Sequence, residues 1–475
     1  MKKALFALTI FAMAALGAKA QDSVFSYTYQ GTTLYYIIDS VGNAIVVPPL
    51  SYYDTLNDAT WTGYTKPSGA VVVPDSVPCG GTMHAVTEVG HDAFYHCELI
   101  TSITLPSSVT AFGEYAFGKC YSLTSFTAPE GATELSSRCF WNDTLLASVT
   151  LPSSLVQINY KAFYNCKSLQ SISLPDGLTT IGDYAFYGCT GLQSVSFPDG
   201  LTTLDFAAFF GCSNLLSVDI PGSVSVIDEW CFSQCSSLAS VTLHEGTETI
   251  GYCAFRECIS LTTINYPSTL KVIDDFSFQH DSLLAIPLIF PESLTYLGAV
   301  AYGDCSSIVT ASLPGSLGEV PAQVFYGCTS LATVTIGDGI TAIQEQAFNQ
   351  CPNIDTIFMK CAVPPTVGTS ADSTFFTYNS VLVVPCGSYA TYFNNPIADY
   401  FSAIVEECEV GIPDVSLSEI TIRIENDRII VEGAEDETVS IFDINGRSVR
   451  NSDLPNGVYI VKIGNRQAKK VMVIR

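Results

Sequence analysis

Charge is scarce in this sequence, and positive charge most of all. Only 14% of its 475 residues are charged, against about 25% in an ordinary globular chain. Basic residues number 20 against 46 acidic ones, a net charge of −26. A nucleic-acid ligand is therefore not expected, because the phosphate backbone demands a basic footprint. Histidine is also rare, with five in the chain. There is no His-Glu-x-x-His zinc helix, no Gly-x-Ser-x-Gly nucleophile elbow and no Cys-x-x-Cys pair, which removes the commonest hydrolase and zinc signatures. After residue 20 no apolar run is long enough to span a bilayer, which takes about 20 residues. What is present is a 48% hydrophobic composition, 17 cysteines, 34 glycines and 23 prolines. That much apolar material argues against disorder. The absence of a short period argues against collagen-like or coiled-coil fibres. An odd number of cysteines cannot form a closed set of disulfides within one chain.

The two ends read differently from the middle. Residues 1–20 have the three parts of a secretory signal peptide: Lys2 and Lys3, an apolar stretch from Leu5 to Gly17, and the small-x-small site Ala18-Lys19-Ala20. Cleavage is expected before Gln21. No cysteine stands at that site, so a lipoprotein is not indicated. At the other end, residues 417–475 hold nine basic and nine acidic residues, whereas residues 21–416 hold eight and 37, a net of −29. The tail alternates short strand patterns with turn signals at Asn445-Gly446 and Asn456-Gly457, as expected of a small β-sandwich. Its segments Ile441–Arg447 (IFDINGR) and Leu454–Lys462 (LPNGVYIVK), with Lys469-Lys470 followed by Val471 to Ile474, closely resemble the C-terminal sorting domain of type IX secretion. That resemblance implies passage through the type IX machinery, removal of the tail, and often attachment to the cell surface.

A repeat governs the middle. An aromatic, usually after Ala, recurs at Phe94, Phe117, Phe140, Phe163, Phe186, Phe209, Phe232, Phe255, Phe278, Tyr302, Phe325 and Phe348. Every interval is 23 residues except the 24 between Phe278 and Tyr302. From each aromatic, the residue three on is Cys or Asp, six on is Leu or Ile, and nine and eleven on are mostly apolar, followed most often by Pro. The spacing Leu192-x-x-Val195-x-Phe197-Pro198 predicts one short strand ended by proline, which cannot donate to a ladder. The Ala-Phe segment is expected to form a short helical or 3₁₀ turn opposite it. A single unit cannot bury its apolar side, but stacked units share one core.

The full pattern (I-x-x-I-G-x-x-A-F-x-x-C-x-x-L-x-x-I-x-L-P), clearest from Ile181-Gly182 through Pro198, resembles the BspA-like leucine-rich repeats of bacterial surface proteins. The fold expected is thus a leucine-rich-repeat solenoid of the α/β type. It pairs short parallel strands with short helical turns in about twelve 23-residue repeats over 89–360. A β-rich N-terminal cap occupies 21–88, a C-terminal cap 361–410, a linker 411–416, and the β-sandwich sorting domain 417–475. A bulge or bend is expected near 278–302, where Asp281 replaces Cys and Ile286-Pro287-Leu288 breaks the strand pattern.

Three repeated positions invite a function. Ten cysteines share one phase: Cys97, Cys120, Cys166, Cys189, Cys212, Cys235, Cys258, Cys305, Cys328 and Cys351. Stacked side chains at the strand spacing of about 4.8 Å sit too far apart for a disulfide, whose Cβ atoms lie about 3.8 Å apart. Asp143 and Asp281 share the phase, which suits a small hydrogen-bonding group. These are read as buried thiols. Among the cysteines off the phase, export makes disulfides possible, and Cys361 with Cys386 is the expected pair. The exposed strand face presents two rows of hydroxyls, from Ser102 to Thr356 and from Thr104 to Thr335, interrupted at Asp219 and Asn265. No concavity with an apolar lining is legible there. The third feature is a stripe of aromatics beside the turn: Tyr95, Tyr115, Trp141, Tyr164, Tyr184, Tyr187, Phe210, Trp230 and Tyr326. Such residues are enriched at interfaces, and the stripe is the candidate binding surface.

The expected role is an exported, cell-surface or secreted binding protein, without enzymatic activity, cofactor or metal. The BspA-like resemblance implies adhesion to host proteins, bacterial partners or glycans. A passive surface-layer component is the alternative. An enzymatic site in the N-terminal cap is the remote one. Weak calcium binding by scattered acids, and O-glycosylation at Asp-Ser/Thr-apolar runs such as Asp75-Ser76-Val77, are further possibilities of the sequence.

Overall fold

The computed structural model describes residues 24–50, 60–368 and 380–408, together with 449–451 and five strands of the C-terminal tail. The leader at 1–20, the linker at 411–416 and Asp54-Thr55-Leu56, another Asp-Ser/Thr-apolar run of the O-glycosylation type, lie outside the described residues. The chain divides into two compact units, one ending at Glu406 and one beginning at Glu407.

Each repeat contributes two strands. In the unit of Phe186 these are Ser194–Ser196 and Thr203–Leu204. Units align in parallel at a 23-residue register, so that Ser171 pairs with Ser194 and Ile172 with Val195 in one ladder. Thr180 pairs with Thr203 in the other. Leucine-rich alternation explains the first ladder: Val195 points into the core while Ser194 and Ser196 are exposed. Pro198 then ends the strand, and its carbonyl accepts the Leu201 N–H at 3.0 Å to form the turn that leads into the second.

The aromatic segment is not helical, contrary to expectation. Backbone N–H groups alternate in direction. Those of Lys161, Phe163 and Asn165 donate to the carbonyls of Asp183, Ala185 and Tyr187 in the next unit, at 3.0, 2.8 and 2.7 Å. Those of Ala162, Tyr164 and Cys166 donate three residues back, at 3.1 Å each. A helix aims every N–H along its own axis, so it could not supply this lateral ladder. The alternation requires left-handed backbone at two positions per unit, as at Lys161 (φ 57°) and Asn165 (φ 59°). The residues two before and two after the repeat aromatic are left-handed in all twelve units. Each non-glycine residue held there costs about 1–2 kcal/mol. The lateral hydrogen bonds, at about 0.5–1.5 kcal/mol net each, and the ring stacking beneath offset that cost.

The core is a column of twelve rings, all fully buried and all stacked on their neighbours. Centroid separations run from 4.9 Å at Phe186–Phe209 to 6.0 Å at Tyr302–Phe325. Tyr302 replaces Phe in this column, and its buried hydroxyl is satisfied by the Tyr266 hydroxyl at 2.8 Å. The ten cysteines of the common phase are free and buried. Nine of them donate their thiol to the carbonyl of the preceding unit's aromatic, as Cys189 does to Phe163 at 3.1 Å. Cys97 heads the series and has no preceding unit to reach. Where Asp143 and Asp281 take the place of Cys, Oδ1 instead accepts the N–H of Cys120 or Cys258, each at 2.8 Å. Their Oδ2 atoms are buried without a partner.

The extra residue of the 24-residue step enters just before the first-ladder strand: buried Leu284 and Leu288 are four apart, where Leu261 and Ile264 or Ile308 and Ala311 are three apart, so that downstream Val272 pairs with Tyr296. The first ladder is interrupted between Thr263–Ile264 and Leu288–Ile289, as it is also on either side of the pair Ser171–Ser173 and Ser194–Ser196.

At the N-terminal end, β1 (Phe25–Tyr29), β2 (Thr32–Ile38) and β3 (Ala44–Val47) form an antiparallel meander. Next come β4 (Gly69–Val72), β5 (Ser76–Cys79) and β6 (Thr82–Val89). The first-ladder strand β7 (Ile100–Thr104) pairs in parallel with β4, and the second-ladder strand β8 (Ala111–Phe112) pairs in parallel with β6. This region therefore supplies the leading rung of each ladder.

At the other end, Val381–Pro385 extends the first ladder beyond Thr356–Met359. The predicted Cys361–Cys386 bridge is not formed. Cys361 is a free buried thiol whose carbonyl accepts the Tyr392 hydroxyl at 2.7 Å. Among the described residues the disulfide-bonded cysteines are Cys386 and Cys408. In the second unit, Thr421–Glu425 pairs with Arg428–Glu432, and Gly457–Ile463 pairs with both Val439–Asp443 and Ala468–Val473, all antiparallel. Among the described residues no helix is long and apolar enough to cross a membrane.

Candidate functional site

Two surfaces of the repeat carry chemistry, one on the turn side and one on the strand side. On the turn side the predicted aromatics form a band with partners that the sequence reading omitted. Tyr95, itself buried, meets Tyr115 at 5.0 Å between centroids, and Tyr115 meets Trp141 edge-on at 5.7 Å. Farther along, Tyr164, Tyr187 and Phe210 stack at 4.8 Å intervals. Phe210 reaches Trp230 at 6.1 Å, and Trp230 continues through Tyr252 to Phe276 at 5.6 and 5.7 Å. Tyr184 packs against Tyr160 and Phe206 at 5.9 and 5.2 Å. Tyr326 belongs to no ring pair among the described residues, and its hydroxyl accepts from the Gln350 amide. The additional members, Tyr160, Phe206 and Tyr252, stand three before the repeat aromatic, a phase distinct from the positions one after and two before it.

Four of the eight basic residues in 21–416 lie in this band, namely Lys119, Arg138, Lys161 and Arg256. Lys119 lies over Tyr95 and Trp141, 5.1 Å from each centroid. Arg138 bridges Tyr115 and Tyr160 at 5.2 and 4.6 Å. Lys161 stands over Tyr160, Tyr164 and Tyr184 at 4.8, 5.1 and 5.0 Å. Each such contact contributes about 0.5–1 kcal/mol at an exposed site. The band is thus a pre-packed aromatic and cationic surface on an acidic body. Acids flank it. Burial, reinforced by Asp183 and Asp228, pushes the Asp205 carboxyl up to about 6. In the first unit His91 bonds Asp92 at 2.9 Å and lies 3.5 Å from Glu114. The hydrogen bond to Asp92, then that to Glu114, pushes His91 up to about 9.

On the strand side the hydroxyl rows lie where alternation puts them, exposed or half-buried. The surface is not flat, however. A recess of about 480 Å³ opens between Val195 and His244. Its walls carry Ser196, Ser217, Ser240, Thr242, Asp219 and His244, and its floor is formed by buried Phe197 and Val218. His244 Nε2 and Asp219 Oδ1 are 2.6 Å apart. The sequence reading, which saw no concavity, is corrected here: curvature between stacked units is a property of their packing and leaves no mark on alternation. The legible clue was Asp219 breaking the hydroxyl row.

Comparison with known proteins bears on the repeat. Residues 87–178, 156–285 and 286–380 match the BspA type leucine rich repeat region, in six copies. No curated protein matches the chain. Among solved structures, a leucine rich cell surface protein from Faecalibacterium prausnitzii is 22% identical, covers 82% of this chain and 97% of its own, and superposes with a TM-score of 0.48. A leucine-rich repeat protein from Bacteroides ovatus is 24% identical over 72% of this chain and 94% of its own, with a TM-score of 0.44. The pneumococcal vaccine antigen PcpA is 18% identical over 82% and 99%, with a TM-score of 0.43.

Proposed function

Because the chain belongs to the BspA type leucine-rich-repeat family, we propose that it is an exported surface protein that binds macromolecular partners through its turn-side aromatic band. The observation that carries this reading is the band itself, whose rings are continuous through stacked and edge-on contacts from Tyr164 to Phe276 and which, taken from Tyr95 onward, is set with half of the body's basic residues. Rings already packed against one another lose little rotamer freedom on binding, which lowers the ordering cost of association. Tyr, Trp and Arg are also the residues that dominate binding energy at interfaces. The role is adhesion to host proteins, bacterial partners or glycans, with no catalytic step.

Delivery is assigned to the two ends. The leader at 1–20 directs export, and the tail at 417–475 directs passage through the type IX machinery. The antiparallel strands of the tail, Val439–Asp443 and Gly457–Ile463, carry parts of the two segments on which the sorting resemblance rests.

Two experiments test the proposal. Cells displaying the protein are assayed on matrix proteins, mucin and bacterial surfaces, with Tyr187→Glu as the band variant. Adhesion at least tenfold above background, lost in the variant, is the expected result. Wild-type retention at background identifies a passive coat, and equal retention of the variant refutes the band as the binding surface. Deletion of 417–475 is expected to hold the protein in the periplasm, and normal surface delivery without it refutes the sorting role.

A further inference from the structure

The strand-side recess is separate from the band and has its own chemistry. The residue ten after the repeat aromatic, in the row from Thr104 to Thr335, is a hydroxyl in most units, and Asp219 is the only carboxylate of that row. This one acidic departure coincides with the recess, whose lining also includes Asp199 and no lysine or arginine. The two observations are independent, since one is read along the sequence and the other comes from how the units pack.

The composition of the walls selects the ligand. An anion is disfavoured, because it would enter beside two carboxylates on a body of net charge −29. A sugar ring would need an apolar face to lie on. Phe197, Val195 and Val218 are each 9% exposed or less, so the floor offers no open ring. A cation suits the carboxylate and hydroxyl walls. Asp219 is 72% exposed and has a single hydrogen-bond partner, His244. The hydroxyls of Ser217, Ser240 and Thr242 can accept the remaining donors of an ammonium or guanidinium group. At about 480 Å³ the recess is at the small end of ligand sites, which run from about 300 to 1,000 Å³. That is room enough for a lysine or arginine side chain.

We propose that this recess receives a lysine or arginine side chain of a protein partner, with Asp219 as its anion. His244 positions the Asp219 carboxylate. The strongly acidic body steers a basic partner towards the site, an effect that salt weakens.

The test uses the full chain and ligand-observed saturation-transfer NMR, which reads weak binding to a protein of 51.0 kDa. The probes are capped nonapeptides of Ser and Thr whose central residue is Arg, Lys, citrulline or Glu, and a neutral glucose hexasaccharide. Expected is binding of the Arg and Lys peptides, with citrulline and Glu at least tenfold weaker. Asp219→Asn should weaken the basic peptides at least tenfold. Glu292→Gln, an equal change of charge at an exposed residue outside the recess, should leave them within twofold. Circular dichroism confirms that both variants keep the wild-type fold. The proposal is overturned if no basic peptide binds, if citrulline binds as well as arginine, or if the two variants behave alike, which would be general electrostatic attraction. Tighter, Asp219-dependent binding of the hexasaccharide would assign the recess to a glycan instead.

Discussion

Asp143 is the sharpest test of how the repeat is held together. It occupies the phase of the buried thiols, and at other units that position donates a hydrogen to the preceding aromatic's carbonyl, as Cys166 does to Phe140 at 3.2 Å. A carboxylate has no hydrogen to give. Asp143 is fully buried, its Oδ1 accepts the Cys120 N–H, and its Oδ2 has no partner. Burial pushes its carboxyl well above the usual range, against the lowering effect of the Cys120 and Lys119 backbone. The thiols of Cys120, Cys139 and Cys166 lie close to it and are themselves raised by burial and by the Asp143 charge, so the pocket holds neutral groups and no cation that would stabilise a carboxylate. The folded state therefore holds a proton that the unfolded chain releases near pH 3.9. With the folded value raised, the stability contribution is complete below the unfolded value and is lost as pH rises towards the folded one. Between pH 4 and pH 6, a carboxyl that keeps its proton throughout loses on the order of 2 kcal/mol relative to an amide that cannot ionise.

Asp143→Asn keeps the acceptor and replaces the orphan oxygen with a donor. We expect Asn and wild type to be similar at pH 4 and the variant to gain steadily above it. Asp143→Cys, which installs the repeat's usual residue, should show the same trend. A long solenoid need not unfold in one step, so the readout should be local. Trp141 fluorescence in urea and hydrogen exchange across 137–146 both report this unit. If the difference between variant and wild type does not change with pH, or if wild type gains as pH rises from 4, then Asp143 is ionised in the fold and the argument fails.

Three further outcomes are expected. Tyr266→Phe strands the buried Tyr302 hydroxyl and should cost about 1–3 kcal/mol, read by urea denaturation; no loss would mean that water replaces the partner. Phe186→Ala, which empties a ring site flanked at 5.1 and 4.9 Å by Phe163 and Phe209, should cost about 3–5 kcal/mol and expose neighbouring amides to exchange; protection equal to wild type would deny the column its role. His91, with its folded value up at about 9 against about 6.5 unfolded, should stabilise the first unit fully below pH 6.5 and lose that effect through pH 9. His91→Gln should abolish this pH dependence of hydrogen exchange at 90–98, and its persistence would locate the titration elsewhere.

The parts of the fold legible in the sequence are those that depend on identity between units. Residues 23 apart become direct neighbours, so a column of rings, a row of thiols or a row of hydroxyls appears along the chain as a period. The turn was misjudged for a related reason. Left-handed backbone is announced by glycine or asparagine at Asn142, Asn165, Gly188, Gly211 and Gly327, but the matching position two before the aromatic carries Tyr, Arg, Lys, Trp, Phe and even Val. The lateral ladder holds those residues left-handed against their own preference, and no composition signal records it. Val300, β-branched at φ 58°, is the strongest instance.

The sequence by itself determined the number of units, which side chains enter the core, and the alternation that leaves hydroxyls outside, because each follows from a period and the burial of apolar groups. Tertiary structure decided how adjacent turns are offset. That offset brings Arg138 between Tyr115 and Tyr160, rings 45 residues apart in the chain, and opens a recess at Asp219 and His244. Tertiary structure also decided that Cys361 hydrogen-bonds Tyr392 through its carbonyl while Cys386 is in a disulfide. Contacts of that kind depend on the relative position of non-equivalent residues in neighbouring units, and that position is set by how the stacked units pack.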